Sequence, residues 1–319
     1  MRNILVTGGN GFIGSCLLSN LLKCGRNPIA LVRQASGVPD EVPFKISDDF
    51  SSELAILSDI DVVVHCAARV HVMDDKELDP LAAYRQTNVI DTLALARNAA
   101  IAGVKRFIFL STIKVNGDST AGRRPFSSQD ISAPNDPYGL SKYEAECALQ
   151  NLSRATGMEV VIIRPVLVYG PGVKANFLNV MSLLYRRVPL PLGSVHNKRS
   201  FVAIENLVNL IICCMDHPAA ANEVFFASDD DDISTSDLLR RLGGFLGRPA
   251  RLLPVPVFLL EKGAHMLGKQ AFAQRLFGSL QVDISRTRDL LQWSPVVTLD
   301  EALKQTAEHF LKNSNHLLK

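Results

Sequence analysis

The 319-residue chain carries 34 lysines and arginines against 32 aspartates and glutamates, a net charge of +2. That near-neutral balance shows no nucleic-acid footprint, and the length exceeds one typical domain, enough for a sizeable core. Six scattered cysteines without metal-ligand spacing, no apolar run of ~18 residues and a first strand within a few residues of Met1 predict a cytoplasmic protein. Disulfides, a membrane span and a signal peptide are not expected.

Strands and helices alternate along the chain. Strands are expected at Ile4–Thr7, Ile29–Arg33, Phe44–Ile46, Asp61–His65, Arg106–Ser111, Glu159–Arg164 and Glu223–Ala227. Helices are expected at Ser15–Cys24, Leu81–Ala102 (capped by Gly103), Tyr138–Ala155 and Glu205–Asp216. Apolar strands separated by helices predict an α/β protein with a doubly wound parallel sheet covered on both faces. From Gly170 the pattern changes to Pro/Gly-rich loops and short helices near 175–187, 234–247 and 299–312, with Ser234 as an N-cap. A nucleotide-binding domain over 1–169 is therefore expected to take back 200–227, with 170–199 and 228–319 forming a smaller, interleaved lobe for the substrate.

The first strand runs into Gly8-Gly9-Asn10-Gly11-Phe12-Ile13-Gly14 and then a helix. Gly8 permits the tight turn, Gly11 lets backbone approach a pyrophosphate, and Gly14 allows close helix–strand packing. The helix N-terminus offers unpaired N–H groups and a positive dipole to phosphates. Arg33 ends the second strand about ~20 residues on, where Asp or Glu reads the ribose 2′-hydroxyl of NAD and Arg accommodates the 2′-phosphate of NADP. Arg33 therefore favours NADP(H), with NAD(H) as the alternative. Asp48 or Asp49, after the third strand, is a candidate for adenine.

Downstream, Tyr138 and Lys142 stand four residues apart on one helix face. An ammonium beside a phenol favours phenolate, so a group with a reference pKa near ~10 can exchange protons nearer neutrality.

These segments, with His65-Cys66-Ala67-Ala68, Asn88, Ser111-Thr112, Arg164-Pro165-x-x-x-Tyr169-Gly170-Pro171-Gly172 and a terminal Asp283…Trp293-x-Pro295, resemble the extended short-chain dehydrogenases/reductases. That family includes nucleotide-sugar epimerases, dehydratases and 4-ketoreductases. The resemblance covers essentially the whole chain and implies hydride transfer at a sugar carbon beside nicotinamide. Tyr138 would be the general acid/base, Lys142 would lower its pKa and hold the nicotinamide ribose, and Thr112 would orient the sugar oxygen. Thr112 is preferred to Ser111 because it stands three residues before Val115-Asn116-Gly117, where the family has Val-Tyr-Gly. Asn10, Phe12, Ile13, Cys66, Ala67, Ala68, Asn88 and Pro165 would line the cofactor, and His65 would be structural. For a UDP-sugar, Asn176 and Arg199 would meet the diphosphate, Arg275 would be a further phosphate ligand, and Val188–Gly193 would read uracil through its backbone. A symmetric homodimer through Leu81–Ala102 and Tyr138–Ala155 is implied as well.

Three chemistries share such a fold. Dehydratases place Asp-Glu directly after the catalytic Thr; Ile113 and Lys114 stand there, which argues against dehydration. Arg33 then favours an NADPH-dependent UDP-4-keto-6-deoxy-hexosamine reductase, resembling those that make UDP-N-acetylquinovosamine. A UDP-hexose 4-epimerase is the alternative, and a noncatalytic nucleotide sensor the remote one.

Overall fold

Buried on both faces, apolar runs such as Ile4–Val6 and Val62–Val64 can satisfy their backbone only by pairing with one another. The computed structural model, which describes residues 3–34, 36–47, 54–70, 79–266, 268 and 270–313, has them doing so. In chain order the first elements are β1 (Asn3–Thr7), α1 (Phe12–Lys23), β2 (Asn27–Val32), β3 (Phe44–Ile46), α2 (Leu54–Leu57), β4 (Val62–His65) and α3 (Pro80–Arg85). A π-helical turn, Gln86–Asp91, leads into α4 (Thr92–Ile101) and β5 (Arg106–Leu110). A 3-10 turn, Ile113–Val115, precedes α5 (Pro137–Thr156), β6 (Glu159–Pro165) and β7 (Leu167–Tyr169). There follow α6 (Ala175–Tyr185), β8 (Phe201–Ala203), α7 (Ile204–Asp216), β9 (Val224–Ala227) and α8 (Thr235–Phe245). The last are α9 (Val257–Met266), α10 (Gln270–Phe277), α11 (Ser285–Leu291) and α12 (Leu299–Asn313).

Seven strands form one parallel sheet in the order β3-β2-β1-β4-β5-β6-β9. Successive side chains point to opposite faces. Ile4 and Val6 accordingly join Leu17, Leu21 and Leu207 beneath α1 and α7. Leu5 joins Leu95, Ala99 and Leu149 beneath α4 and α5. A third core binds α6, α8 and α12 through Met181, Leu239 and Leu303. The order reverses between β1 and β4, opening a crevice at their carboxyl ends where such sheets bind ligands. No helix among the described residues is long and apolar enough to cross a membrane.

Several expectations shift. Helix α1 starts at Phe12 rather than Ser15. The helix expected unbroken over Leu81–Ala102 is α3, the π turn and α4, because the buried Asn88 is drawn inward. The short parallel pair β7–β8 and the helices α9, α10 and α11 lie outside the expected strands and helices. Residues 228–319 do not all stay in the lobe: Leu280, Val282, Ile284, Leu291 and Trp293 pack into the core of the sheet. Ser234 does cap α8, its hydroxyl accepting from Asp237 N–H at 3.0 Å.

Candidate active site

The glycine turn is shaped by contacts that only hydrogen permits. Gly8 adopts φ +66°, and a Cβ there would sit 2.9 Å from Ala67 N; one on Gly14 would sit 2.2 Å from the Gly8 carbonyl oxygen. Gly11, the N-cap of α1, has no side chain to occupy the first-turn N–H groups. A cavity of about 270 Å³, lined by Asn10, Gly11, Phe12, Ser15, Pro171 and Lys174 among others, adjoins this turn. This cradle fits a dinucleotide, whose pyrophosphate the bare helix terminus would receive. Asn10 also donates to the Gln34 carbonyl at 3.2 Å, bringing the exposed Arg33 at the end of β2 close to the turn. Asp48 and Asp49 lie outside the described residues.

The turn is pinned from below. Thr7 Oγ1 accepts from Ala67 N–H at 3.1 Å and lies 2.8 Å from His65 Nδ1; His65 Nε2 lies 3.0 Å from Thr92 Oγ1. With Thr7 donating to Nδ1, the ring is the neutral Nε2–H tautomer. Burial and the nearby Lys142 pull its pKa down to about 3, in keeping with that state. Thus His65 is structural, and Cys66, Ala67 and Ala68 are held at the mouth of the crevice. The Cys66 thiol is pushed up to about 12 by burial, which leaves it protonated.

Asn88 is 1% exposed. It accepts from Arg69 N–H at 2.9 Å and donates to the Arg69 carbonyl at 3.1 Å and to Ser141 Oγ at 3.0 Å. Ser141 donates onward to the Tyr138 carbonyl at 2.8 Å. Its π turn therefore clamps the loop after β4 to α5, in keeping with the frequent use of π turns at functional sites. Asn88 meets backbone and Ser141, so any part it has toward a cofactor is exerted through them.

Helix α5 begins at Pro137, with Asp136 as N-cap accepting from Gly139 N–H at 2.9 Å. One turn in, Lys142 is 1% exposed and its ammonium lies 3.9 Å from the centre of the Phe109 ring. Burial brings Lys142 down to about 7, opposed by Glu146 and Cys66. Tyr138 packs on Tyr84, ring centres 6.0 Å apart. Burial, then Asp136, then Tyr84 push its phenol up, not down as the Lys142 spacing predicts. The reason is physical: desolvation penalises phenolate, and the Asp136 carboxylate adds to that penalty.

Behind this pair lies a buried ionic layer. Glu146 accepts from Ser111 Oγ and from Arg164, whose Nε reaches it at 3.0 Å; Arg164 also donates to Asn116 Oδ1 at 2.8 Å. Ser111 is thereby engaged away from the crevice, whereas Thr112 is half-buried and accepts only a long 3.3 Å bond from Lys114 N–H among the contacts described. Pro165 ends β6 in register with Ala227. Tyr84, Asp136 and Glu146 are not singled out by the sequence pattern, and Arg164 enters it only as part of the Arg164-Pro165 motif. Asp136-Pro137 is a helix-start signal, and Glu146 stands four residues after Lys142, so two of them were detectable.

In the lobe, Asn176 falls in the first turn of α6, whose N-cap Lys174 makes no side-chain cap. Arg199 pairs through its backbone with Ile233 and donates to the Gly278 carbonyl at 3.0 Å. Arg275 belongs to α10. Within Val188–Gly193, Leu190 N–H donates to the Arg251 carbonyl at 2.9 Å and its carbonyl accepts from Leu253 N–H at 2.8 Å, so its N–H is already engaged within the lobe. No three metal-ligating side chains converge among the described residues.

Residues 4–226 match the NAD dependent epimerase/dehydratase family, and the chain belongs to it as an extended short-chain dehydrogenase/reductase enzyme. It is 49% identical over 318 residues to a UDP-glucose 4-epimerase of Vibrio cholerae, covering 98% of this chain and 97% of that one. A UDP-glucose 4-epimerase of Mycolicibacterium smegmatis is 28% identical over 97% of this chain and 99% of its own. The crystal structure of UDP-glucose 4-epimerase from Thermotoga maritima with UDP-glucose superposes with a TM-score of 0.77 at 26% identity, covering 98% and 99% of the two chains.

Proposed function

We propose that this enzyme is a UDP-hexose 4-epimerase that retains NAD and interconverts UDP-glucose and UDP-galactose. The observation carrying this is the 49% identity, over nearly the full length of both chains, to a UDP-glucose 4-epimerase. It favours the epimerase alternative over the 4-ketoreductase expected from Arg33. NAD held at the Gly8–Gly14 turn would supply reversible hydride exchange at the sugar C4. Tyr138 takes the proton of the C4 hydroxyl as the hydride leaves and gives it back on return. Thr112, with its hydroxyl unclaimed by the ionic layer, hydrogen-bonds the same oxygen. Lys142, drawn down to about 7 by its burial, holds the nicotinamide ribose. Asn176, Arg199 and Arg275 are proposed to meet the diphosphate from the lobe.

The exposed Arg33 at the end of β2 supports a second reading, NADPH-dependent reduction of a UDP-4-keto sugar. Mass analysis of the released cofactor, followed by incubation with UDP-glucose, separates the two. The epimerase releases NAD and yields UDP-galactose with no net change at ~340 nm, since no cofactor is consumed across a turnover. Copurifying NADP and stoichiometric NADPH oxidation by a 4-keto sugar would establish the reductase instead.

A further inference from the structure

Lys114 touches both sides of the proposed acid–base pair. Its N–H donates to Thr112 Oγ1 at 3.3 Å. Its carbonyl oxygen lies where a Cβ on Gly139 would come within 3.0 Å, so the first turn of α5 is seated on the Ile113–Val115 turn. Its half-buried ammonium pairs with Asp136, the cap two residues before Tyr138, and stands 3.5 Å from Asp118. Resting on the epimerase reading, we infer that Lys114 is a positioning residue: it fixes Thr112 against the start of α5 and neutralises the carboxylate beside Tyr138.

Charges facing Tyr138 come from few sources. Asp136 and Lys142 belong to its own helix, and Tyr84 approaches from α3 with Arg69 over its ring at 5.6 Å. Arg85 and Glu144 neutralise each other at the surface. Asp136 disfavours phenolate, so Lys114 offsets the carboxylate that, among the described residues, opposes ionisation of the base.

The experiment compares Lys114→Met, Lys114→Arg, Asp136→Asn and the double Lys114→Met/Asp136→Asn in UDP-glucose/UDP-galactose interconversion across pH. The Asn keeps the cap acceptor, so α5 still starts correctly. Lys114→Met should lower kcat about 10-fold with KM changed less than about twofold, and move the acidic limb up by about 0.5–1 pH unit. Asp136→Asn should move that limb down, the double variant should return it to the wild-type position, and Lys114→Arg should restore the rate. A Lys114→Met profile superimposed on wild type, or both single variants shifting the limb the same way, overturns the inference alone. A Tyr138→Phe protein with undiminished turnover overturns the functional reading and the inference with it.

Discussion

Asn88 Nδ2 reaches Ser141 Oγ at 3.0 Å, so the π turn before α4 holds the helix that carries Tyr138 and Lys142. One amide thereby serves the Arg69 backbone on one side and α5 on the other. Asn88→Leu should cost about 2–3 kcal/mol, because the half-buried Arg69 backbone and the buried Ser141 lose their partners. Denaturant titration measures this; a loss below about 0.5 kcal/mol would show that the clamp is dispensable.

Tyr138→Phe should cut turnover by about 10²–10⁴-fold while NAD still binds, since only proton transfer is removed. Retained cofactor with near-normal turnover would assign the acid–base work elsewhere.

Glu146 and Arg164 are both buried, and Glu146 also receives Ser111. Removing one partner leaves an uncompensated charge, so Glu146→Ala should destabilise by about 3–5 kcal/mol. Equilibrium unfolding at neutral pH tests it, with wild-type stability as the contrary result.

His65 gives a pH signature. Its native pKa is depressed to about 3, below the unfolded value near ~6.5, so between these pH values the unfolded chain binds the extra proton. Stability should therefore fall as pH drops from about 6.5 toward 3, by on the order of 4 kcal/mol from this group. In His65→Gln the acid loss should be shallower by about one proton. Parallel curves for variant and wild type would remove His65 as the cause.

A symmetric dimer through α3, α4 and α5 should sediment at twice the chain mass at micromolar concentration. Ile90, 55% exposed in the π turn, offers the substitution Ile90→Asp, which should shift the protein toward monomer. An unchanged mass in the variant would place the contact on another face.

Where apolar periodicity decides structure, the sequence was readable. All seven strands of the sheet fall within two residues of their expected places at every end, and the glycine turn forms as its spacing implies. The π turn was not readable, since it follows from Asn88 reaching a residue 53 positions away. Similarly, the upward shift of Tyr138 depends first on its burial and in part on Tyr84, both set by tertiary packing, whereas Asp136, two residues away, is close by sequence alone. The lobe was read least well: Arg199 has its place from pairing with Ile233 and Leu280, both remote in sequence.

The chain passes repeatedly between sheet and lobe: out after Tyr169, back through β8 and α7, out again after Ala227, and back once more from Leu280 to Trp293. Two bodies sewn together by so many passes have no single hinge on which to swing. Motion that admits or releases a substrate is then expected at short loops of the rim rather than as a swing of one body on the other. Cutting the chain at any one crossing should leave neither half with a complete core.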